Sequence, residues 1–271
     1  MVKNMLPGNQ KLICFIDNDK AKQESAFCGT PVISPSQITE ERIEKIWIAV
    51  LNKEAASEIK ILLADMNFKC EILDIQYFIQ NHNLRLAGIR LAAKQISERE
   101  VEGDVAELGV YKGDIAAELN SLFPGRKLCL FDTFERLAER DVETEKRVAG
   151  GTQKYFTRDF KDTSENYVLK RLPHPENAVI CKGYFPESLS NIEMPERFAF
   201  VSLDPDLYAP VKSGLEIFYP LMSKGGVIHI HDYNSFQFPG VKRAVDEYCI
   251  QNNLFIIPIT NFHGSAMLVK S

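Results

Sequence analysis

Short apolar runs alternate with longer amphipathic stretches along most of this chain, a pattern that predicts an α/β protein with a mostly parallel sheet. In the first part, KLICFIDND (Lys11–Asp19) predicts a strand ending in acidic turn residues, and KIWIAVL (Lys45–Leu51) predicts a second. Between that strand and another around Cys70–Leu73, EAASEIKILLADM places Ile59, Leu62, Leu63 and Met66 at helical spacing. The second part opens with a helical segment near Leu84–Arg99. Strands follow at Asp104–Leu108, Lys127–Phe131, Ala178–Cys181, Phe198–Leu203 and Gly226–His231, with helices at Ile115–Phe123, Val211–Met222 and Val241–Gln251. Two closing strands, near Phe255–Ile259 and Ala266–Val269, have no helical pattern between them and predict an antiparallel hairpin. About seven strands with intervening helices fit a doubly wound sheet.

Composition narrows the function classes. The formal net charge is −5, so no broad cationic field is expected to attract nucleic acid. No apolar run approaches the roughly 20 residues that a membrane-spanning helix needs, so no membrane insertion is expected. The N-terminus lacks a signal-peptide pattern, and a cytoplasmic location is the expectation. The cysteines are widely spaced with no CxxC pair, which points to buried reduced thiols.

Candidate chemistry lies at the strand ends. GDVAELGVYKGD (Gly103–Asp114) ends a strand in Glu107-Leu108-Gly109 and opens a helix at Gly113. Glycine at those points permits a tight turn and close backbone approach to a ligand. The ExGxxxG spacing differs from the dinucleotide GxGxxG and matches the first motif of S-adenosylmethionine (SAM) methyltransferases, whose acidic residue helps place the methionine amino end. Asp132 stands just past the next strand, where a carboxylate can accept hydrogen bonds from a ribose diol; a turn Asp is the plainer reading. Gly183, Tyr184 and Phe185 follow the third strand and can line an adenine pocket or pack in the core.

Asp204 and Asp206 follow the Phe198–Leu203 strand, and His231 and Asp232 end the next one. Neighbouring parallel strands bring their C-terminal ends together. Carboxylates that converge there repel unless a cation is present. A hard divalent ion, Mg²⁺ or similar, would resolve the repulsion; the alternative is a set of separate helix caps.

The run VSLDPDLYAPVKSGLEIFYPLMSKGGVIHIHDYN resembles the macrocin O-methyltransferase (TylF-like) family. AELGVYKGD, LFDTFE, KDTSENYVLKRLPHPENAVICKGYFPESL and HGSAMLVK extend the resemblance over roughly Leu84 to Ser271. It implies a Rossmann-like seven-stranded class I methyltransferase fold for residues 83–271. It implies SAM and Mg²⁺ as cofactors, and a small-molecule or glycan hydroxyl, typically of a sugar, as the acceptor. A catechol or vicinal diol acceptor, or a non-catalytic binding scaffold, is the alternative. On the matching positions, Glu107, Gly109, Gly113, Asp132, Gly183, Tyr184, Phe185 and Asp204 would contact the cofactor. Asp204 and Asp232 would hold the metal, and Asp206 would be the general base. Better-studied members carry two adjacent Asp where this chain has His231-Asp232, so His231 could ligate the metal, act as base or orient Asp232.

Residues 1–82 lie outside that resemblance. They resemble the later part of a small Rossmann-like domain, without the glycine-rich turn that would cradle a phosphate. This partial Rossmann-like α/β domain is expected to dock or to support a homo-oligomer. Four further expectations concern single features. The charged run Glu135–Arg147 is read as a solvated helix, Gly150-Gly151 as a lid hinge, and His229 as a packed histidine facing away from His231. His263 is read as a loop residue.

Overall fold

A computed structural model describes residues 11–27, 29–38, 43–50, 52–66, 70–74, 83–149, 162–261 and 263–271. Cys28 and the Gly150-Gly151 hinge fall outside these. The chain divides into two compact units, Met1–Asn83 and Leu84–Ser271.

In the first unit, β1 (Phe15–Ile16) pairs in parallel with β3 (Thr30–Ile33), and β2 (Ala26–Phe27) pairs antiparallel with β3. β4 (Lys45–Ile48) and β5 (Glu71–Asp74) form a separate parallel pair joined through helix α1 (Lys53–Asp65). The Asn52 side chain caps α1 by accepting from the Ala55 N–H at 2.7 Å, which satisfies one of the orphan amides of its first turn. Ile46, Ile48, Ala56 and Leu63 make a small core. Only Phe15–Ile16 of the expected Lys11–Asp19 strand is extended, because β3 pairs with that stretch alone.

The second unit is built on one seven-stranded sheet. Its strands are β6 (Asp104–Leu108), β7 (Leu128–Asp132), β8 (Ala178–Lys182), β9 (Phe198–Leu203), β10 (Met222–Ile230), β11 (Ile257–Pro258) and β12 (Ala266–Val269). The spatial order is β11-β12-β10-β9-β6-β7-β8. All neighbours are parallel except β12, which runs antiparallel to both β10 and β11, as the closing pattern predicts. The order reverses between β6 and β9, and that reversal places the crevice for a ligand at their C-terminal ends.

Helices cover both faces. Ala106, Leu108, Phe131, Val201 and Leu203 point to one face, against α6 (Tyr208–Leu221) and α7 (Pro239–Gln251). Val105, Leu128, Leu130 and Phe200 point to the other, against α2 (Leu84–Glu98) and α3 (Asp114–Leu122). Two short helices, α4 (Glu139–Ala149) and α5 (Glu165–Leu169), complete the unit. Phe218 of α6 anchors the first face, with ring centroids 5.4 to 5.7 Å from Phe198, Phe131 and Phe185. Such packed rings contribute beyond their area alone.

The charged stretch read as solvated is docked instead. Asp141 and Glu145, four apart on one face of α4, are buried. Glu145 accepts from the Tyr208 N–H at 2.8 Å and from the Gly240 N–H at 2.7 Å. Tyr208 starts α6 and Gly240 lies in the first turn of α7, and neither helix has a side-chain cap of its own. One carboxylate from a third helix therefore satisfies orphan amides at two helix N-termini, where negative charge is also favoured. Glycine at 240 leaves room for that contact, since an added Cβ would overlap the Glu145 carboxylate and force it to shift. Charge density hid this role, because the buried acids alternate with exposed ones along the helix.

Candidate active site

The C-terminal ends of β6, β7, β9 and β10 open into a pocket of about 320 Å³. Strand alternation decides what faces it. Side chains two apart on a strand share a face. Glu107 on β6 lies opposite Ser202 on β9, and Ser202 lies opposite His229 on β10. These three form a buried polar row on the α2 side of the sheet. Asp204 and His231, one step further along, stand on the same side at the pocket rim.

That register corrects the reading of His229. It is packed, as expected, but it faces the same side as His231, because a separation of two preserves the face. Neither ring nitrogen has a hydrogen-bond partner among the described residues. Burial, together with the nearby Arg85 and His231 charges, holds its pKa well below the usual histidine value, so the ring is neutral.

Of the expected site residues, Glu107, Gly109, Asp132, Gly183, Tyr184, Phe185, Asp204, Asp206, His231 and Asp232 all line the pocket; Gly113 does not. Gly109 and Gly113 both have positive φ, 87° and 76°. A Cβ at Gly109 would lie 2.3 Å from the Asp204 carbonyl oxygen, so glycine there lets β6 and β9 converge at the crevice. A Cβ at Gly113 would press on Val168 of α5.

Glu107 is fully enclosed, and its Oε2 has no hydrogen-bond partner among the described residues. Burial pushes its pKa well above the ordinary glutamate value, against the opposing pull of Arg85. An unpaired buried carboxylate at a pocket wall is suited to a cationic ligand group such as an ammonium. Asp132 organises the loop above it. Its Oδ2 accepts from the Val110 and Tyr111 amides at 2.6 and 2.8 Å, and its Oδ1 from the Phe134 amide at 2.7 Å. A carboxylate has about four acceptor positions, which leaves room for about one ligand hydroxyl.

Tyr184 donates its hydroxyl to Asp141 Oδ1 at 2.6 Å, and the Arg140 guanidinium lies 3.3 Å over its ring. Burial and the Asp141 carboxylate push the Tyr184 pKa up to about 12, so the phenol keeps its proton. Phe185 belongs to the core as well as to the pocket wall.

The acidic corner is the most highly charged part. Asp206 and Asp232 both adopt positive φ, 64° and 57°, an uncommon state for non-glycine residues that is enriched at functional sites. Carboxylate oxygens of Asp204, Asp206 and Asp232 all lie within 4.8 Å of one another. His231 Nδ1 stands 2.8 Å from Asp204 Oδ1 and 3.0 Å from Asp232 Oδ2. Arg85, from the first turn of α2, binds the other Asp204 oxygen at 2.9 Å. Burial opposes the Asp204 charge, yet Arg85 and His231 together hold its carboxyl well below the usual range. For His231, burial opposes protonation, but the two carboxylates outweigh it and raise its pKa to about 9. Sequence motifs missed Arg85 because its helix precedes the sheet and its partner is 119 residues away.

Comparisons with known proteins bear on the family and the fold. The profile of the macrocin O-methyltransferase (TylF) family matches residues 78–268. The demethyldecarbamoylnovobiocin O-methyltransferase of Streptomyces niveus is 26% identical over 180 residues. That match spans 60% of this chain and 64% of the relative's length. The O-methyltransferase NovP superposes with a TM-score of 0.54 at 21% identity, covering 69% of this chain and 80% of that one. The calicheamicin methyltransferase CalS11 superposes with a TM-score of 0.56 at 19% identity, covering 81% and 94%. At those identities the two structures establish the shared fold. Among the described residues, no helix is long and apolar enough to cross a membrane.

Proposed function

The chain belongs to the macrocin O-methyltransferase (TylF) family, and from that premise we propose that it transfers a methyl group from SAM to a hydroxyl of a sugar, in a natural product, nucleotide sugar or polysaccharide precursor. The observation that carries this reading is the pairing of two environments in one pocket. Glu107 supplies a buried unpaired carboxylate, and three further carboxylates converge a strand-end away. The relatives named as novobiocin and calicheamicin methyltransferases support the natural-product side of the acceptor range.

SAM supplies a methyl group on a sulfonium, whose sulfur leaves neutral. Glu107 would hold its ammonium end, Asp132 a ribose hydroxyl, and Tyr184 and Phe185 would flank the adenine. A divalent cation would be held by Asp204, Asp232 and His231, where it would lower the pKa of an acceptor hydroxyl. What supports a cation there is that carboxylate oxygens of Asp204, Asp206 and Asp232 lie within 4.8 Å of one another, an oxygen set suited to a hard divalent ion.

A sugar hydroxyl is a poor nucleophile at neutral pH, so the chain must take its proton. Asp206 is the group proposed to do so, as general base, a role typically worth about 10²–10⁴-fold. Its positive-φ backbone directs it beside Asp204 and Asp232. Arg85 fixes the orientation of Asp204 by binding one oxygen and leaving the other turned toward His231. The N-terminal unit would serve docking or self-association.

The test is a panel of nucleotide sugars, glycosides and catechols incubated with methyl-labelled SAM. Label on a sugar oxygen supports the reading. Label on catechols alone moves the acceptor to aromatic diols. SAM binding with no label on any acceptor class makes the chain a scaffold.

A further inference from the structure

Three polar side chains lie in a row across the buried α2 side of the sheet. Glu107, Ser202 and His229 stand side by side on β6, β9 and β10, each at most 1% exposed. The next positions outward in the same register are apolar, Leu130 on β7 and Met267 on β12. Yet Glu107 Oε2, the Ser202 hydroxyl and both ring nitrogens of His229 have no hydrogen-bond partner among the described residues. Buried polar groups are almost always hydrogen-bonded, to protein or to ordered water. A row of such atoms, flanked at both ends by apolar side chains, points to water as what it binds.

Strand spacing explains why the three do not bond one another. Neighbouring strands lie about 4.8 Å apart, and their side chains stand roughly perpendicular to the sheet. Two hydrogen bonds of about 2.8 Å that meet at a water at about 110° span about 4.6 Å. Each gap in the row is therefore too wide for a direct hydrogen bond and matches one bridging water. Donors and acceptors then run in one direction. Burial keeps His229 neutral, and a neutral imidazole has one N–H donor. That N–H donates to the first water, which donates to the Ser202 oxygen. The Ser202 hydroxyl donates to the second water, which donates to Glu107 Oε2. The chain ends on the carboxylate, which only accepts when ionised, and each link polarises the next. Oε2 has a second acceptor position, which the water leaves for a ligand.

We propose that Ser202 and His229 are positioning residues that hold the ionised Glu107 carboxylate toward the ammonium end of SAM, through two buried waters, one in each gap of the row. The proposal rests on the reading of Glu107 as the anchor for that ammonium. Glu107 lines the pocket and the other two do not, so they act through it and not on the cofactor.

The experiment uses full-length protein. A crystal structure of the wild type that resolves ordered solvent is expected to show one water in each gap. Dry gaps, or direct hydrogen bonds along the row, overturn the proposal. Calorimetry then compares SAM with methylthioadenosine, which keeps the nucleoside and the sulfur but has no ammonium. Ser202→Ala and His229→Phe are each expected to weaken SAM binding about tenfold, because a chain to a charged acceptor is cut, and to leave methylthioadenosine within about twofold of wild type. His229→Gln keeps a donor and an acceptor and is expected to stay within about threefold for SAM. Equal weakening of both ligands marks a merely structural role and overturns the proposal, as does unchanged SAM affinity in Ser202→Ala and His229→Phe. Should a variant fail to fold, the solvent in the wild-type structure still decides. Wild-type protein that binds neither compound removes the SAM reading and the positioning role with it. Wild-type protein that binds SAM over dry gaps leaves that reading standing and removes this proposal alone.

Discussion

Arg85 and Asp204 lie 119 residues apart in the chain and meet at 2.9 Å at the edge of the pocket. The guanidinium acts on Asp204 and on Glu107 alike, pulling the pKa of each carboxyl down against the effect of burial. It thereby ties the part of the pocket proposed for SAM to the part proposed for the cation. Arg85→Ala is expected to lower kcat/KM by about 10²-fold or more, because a half-buried charge pair is broken and Asp204 loses its fixed orientation. Steady-state kinetics on the labelled-methyl assay checks this, and circular dichroism checks that the fold is retained.

Asp204→Ala and Asp232→Ala are expected to abolish turnover while SAM binding survives, since the proposed hold on the ammonium end of SAM is Glu107 rather than the cation ligands. Single-turnover assays beside SAM titrations separate the two effects. Full activity in either variant contradicts the cation assignment.

Glu107 gives the pH dependence. Its folded pKa is raised above the ordinary value of about 4.3. In the ligand-free protein, its contribution to stability is therefore fully present below that ordinary value and is lost as the pH rises through the raised one. A cationic ligand group reverses the preference by favouring the carboxylate. SAM affinity is expected to weaken as the pH falls through the raised pKa, because the protonated carboxyl no longer attracts the ammonium. Glu107→Gln is expected to bind SAM more weakly and to lose this pH dependence. SAM titrations at a series of pH values on both proteins measure it.

Glu145 gives the stability test. Glu145→Ala leaves amides at the start of α6 and in the first turn of α7 without acceptors, and it opens a buried cavity. Each unsatisfied buried group costs about 1–3 kcal/mol, so a loss of about 2–5 kcal/mol is expected in denaturant unfolding. Glu145→Gln is expected to lose less, because one oxygen still accepts.

The strand ends were legible in the chain because each is an apolar run that stops at a polar residue. Glu107, Asp132, Asp204 and Asp232 stand at the C-terminal ends of β6, β7, β9 and β10, and parallel pairing alone draws them together. The closing antiparallel strands were legible for the same reason. What local pattern cannot carry is contact between distant segments. Arg85 and His263 come from the helix before the sheet and the loop before its last strand, and only the strand order reveals that they approach Asp204 and Asp232. The docking of α4 was hidden because Asp141 and Glu145 are satisfied by a tyrosine hydroxyl and by amides of other helices, not by neighbours in sequence. The facing of His229 follows from the two-residue period of β10, which puts it on the same side of the sheet as His231.

The most direct test of the account is calorimetric titration of SAM into the full-length wild-type protein and into Glu107→Ala. One SAM bound per chain by the wild type, with binding lost in the variant, is the expected result. A wild-type protein that binds no SAM would contradict the account.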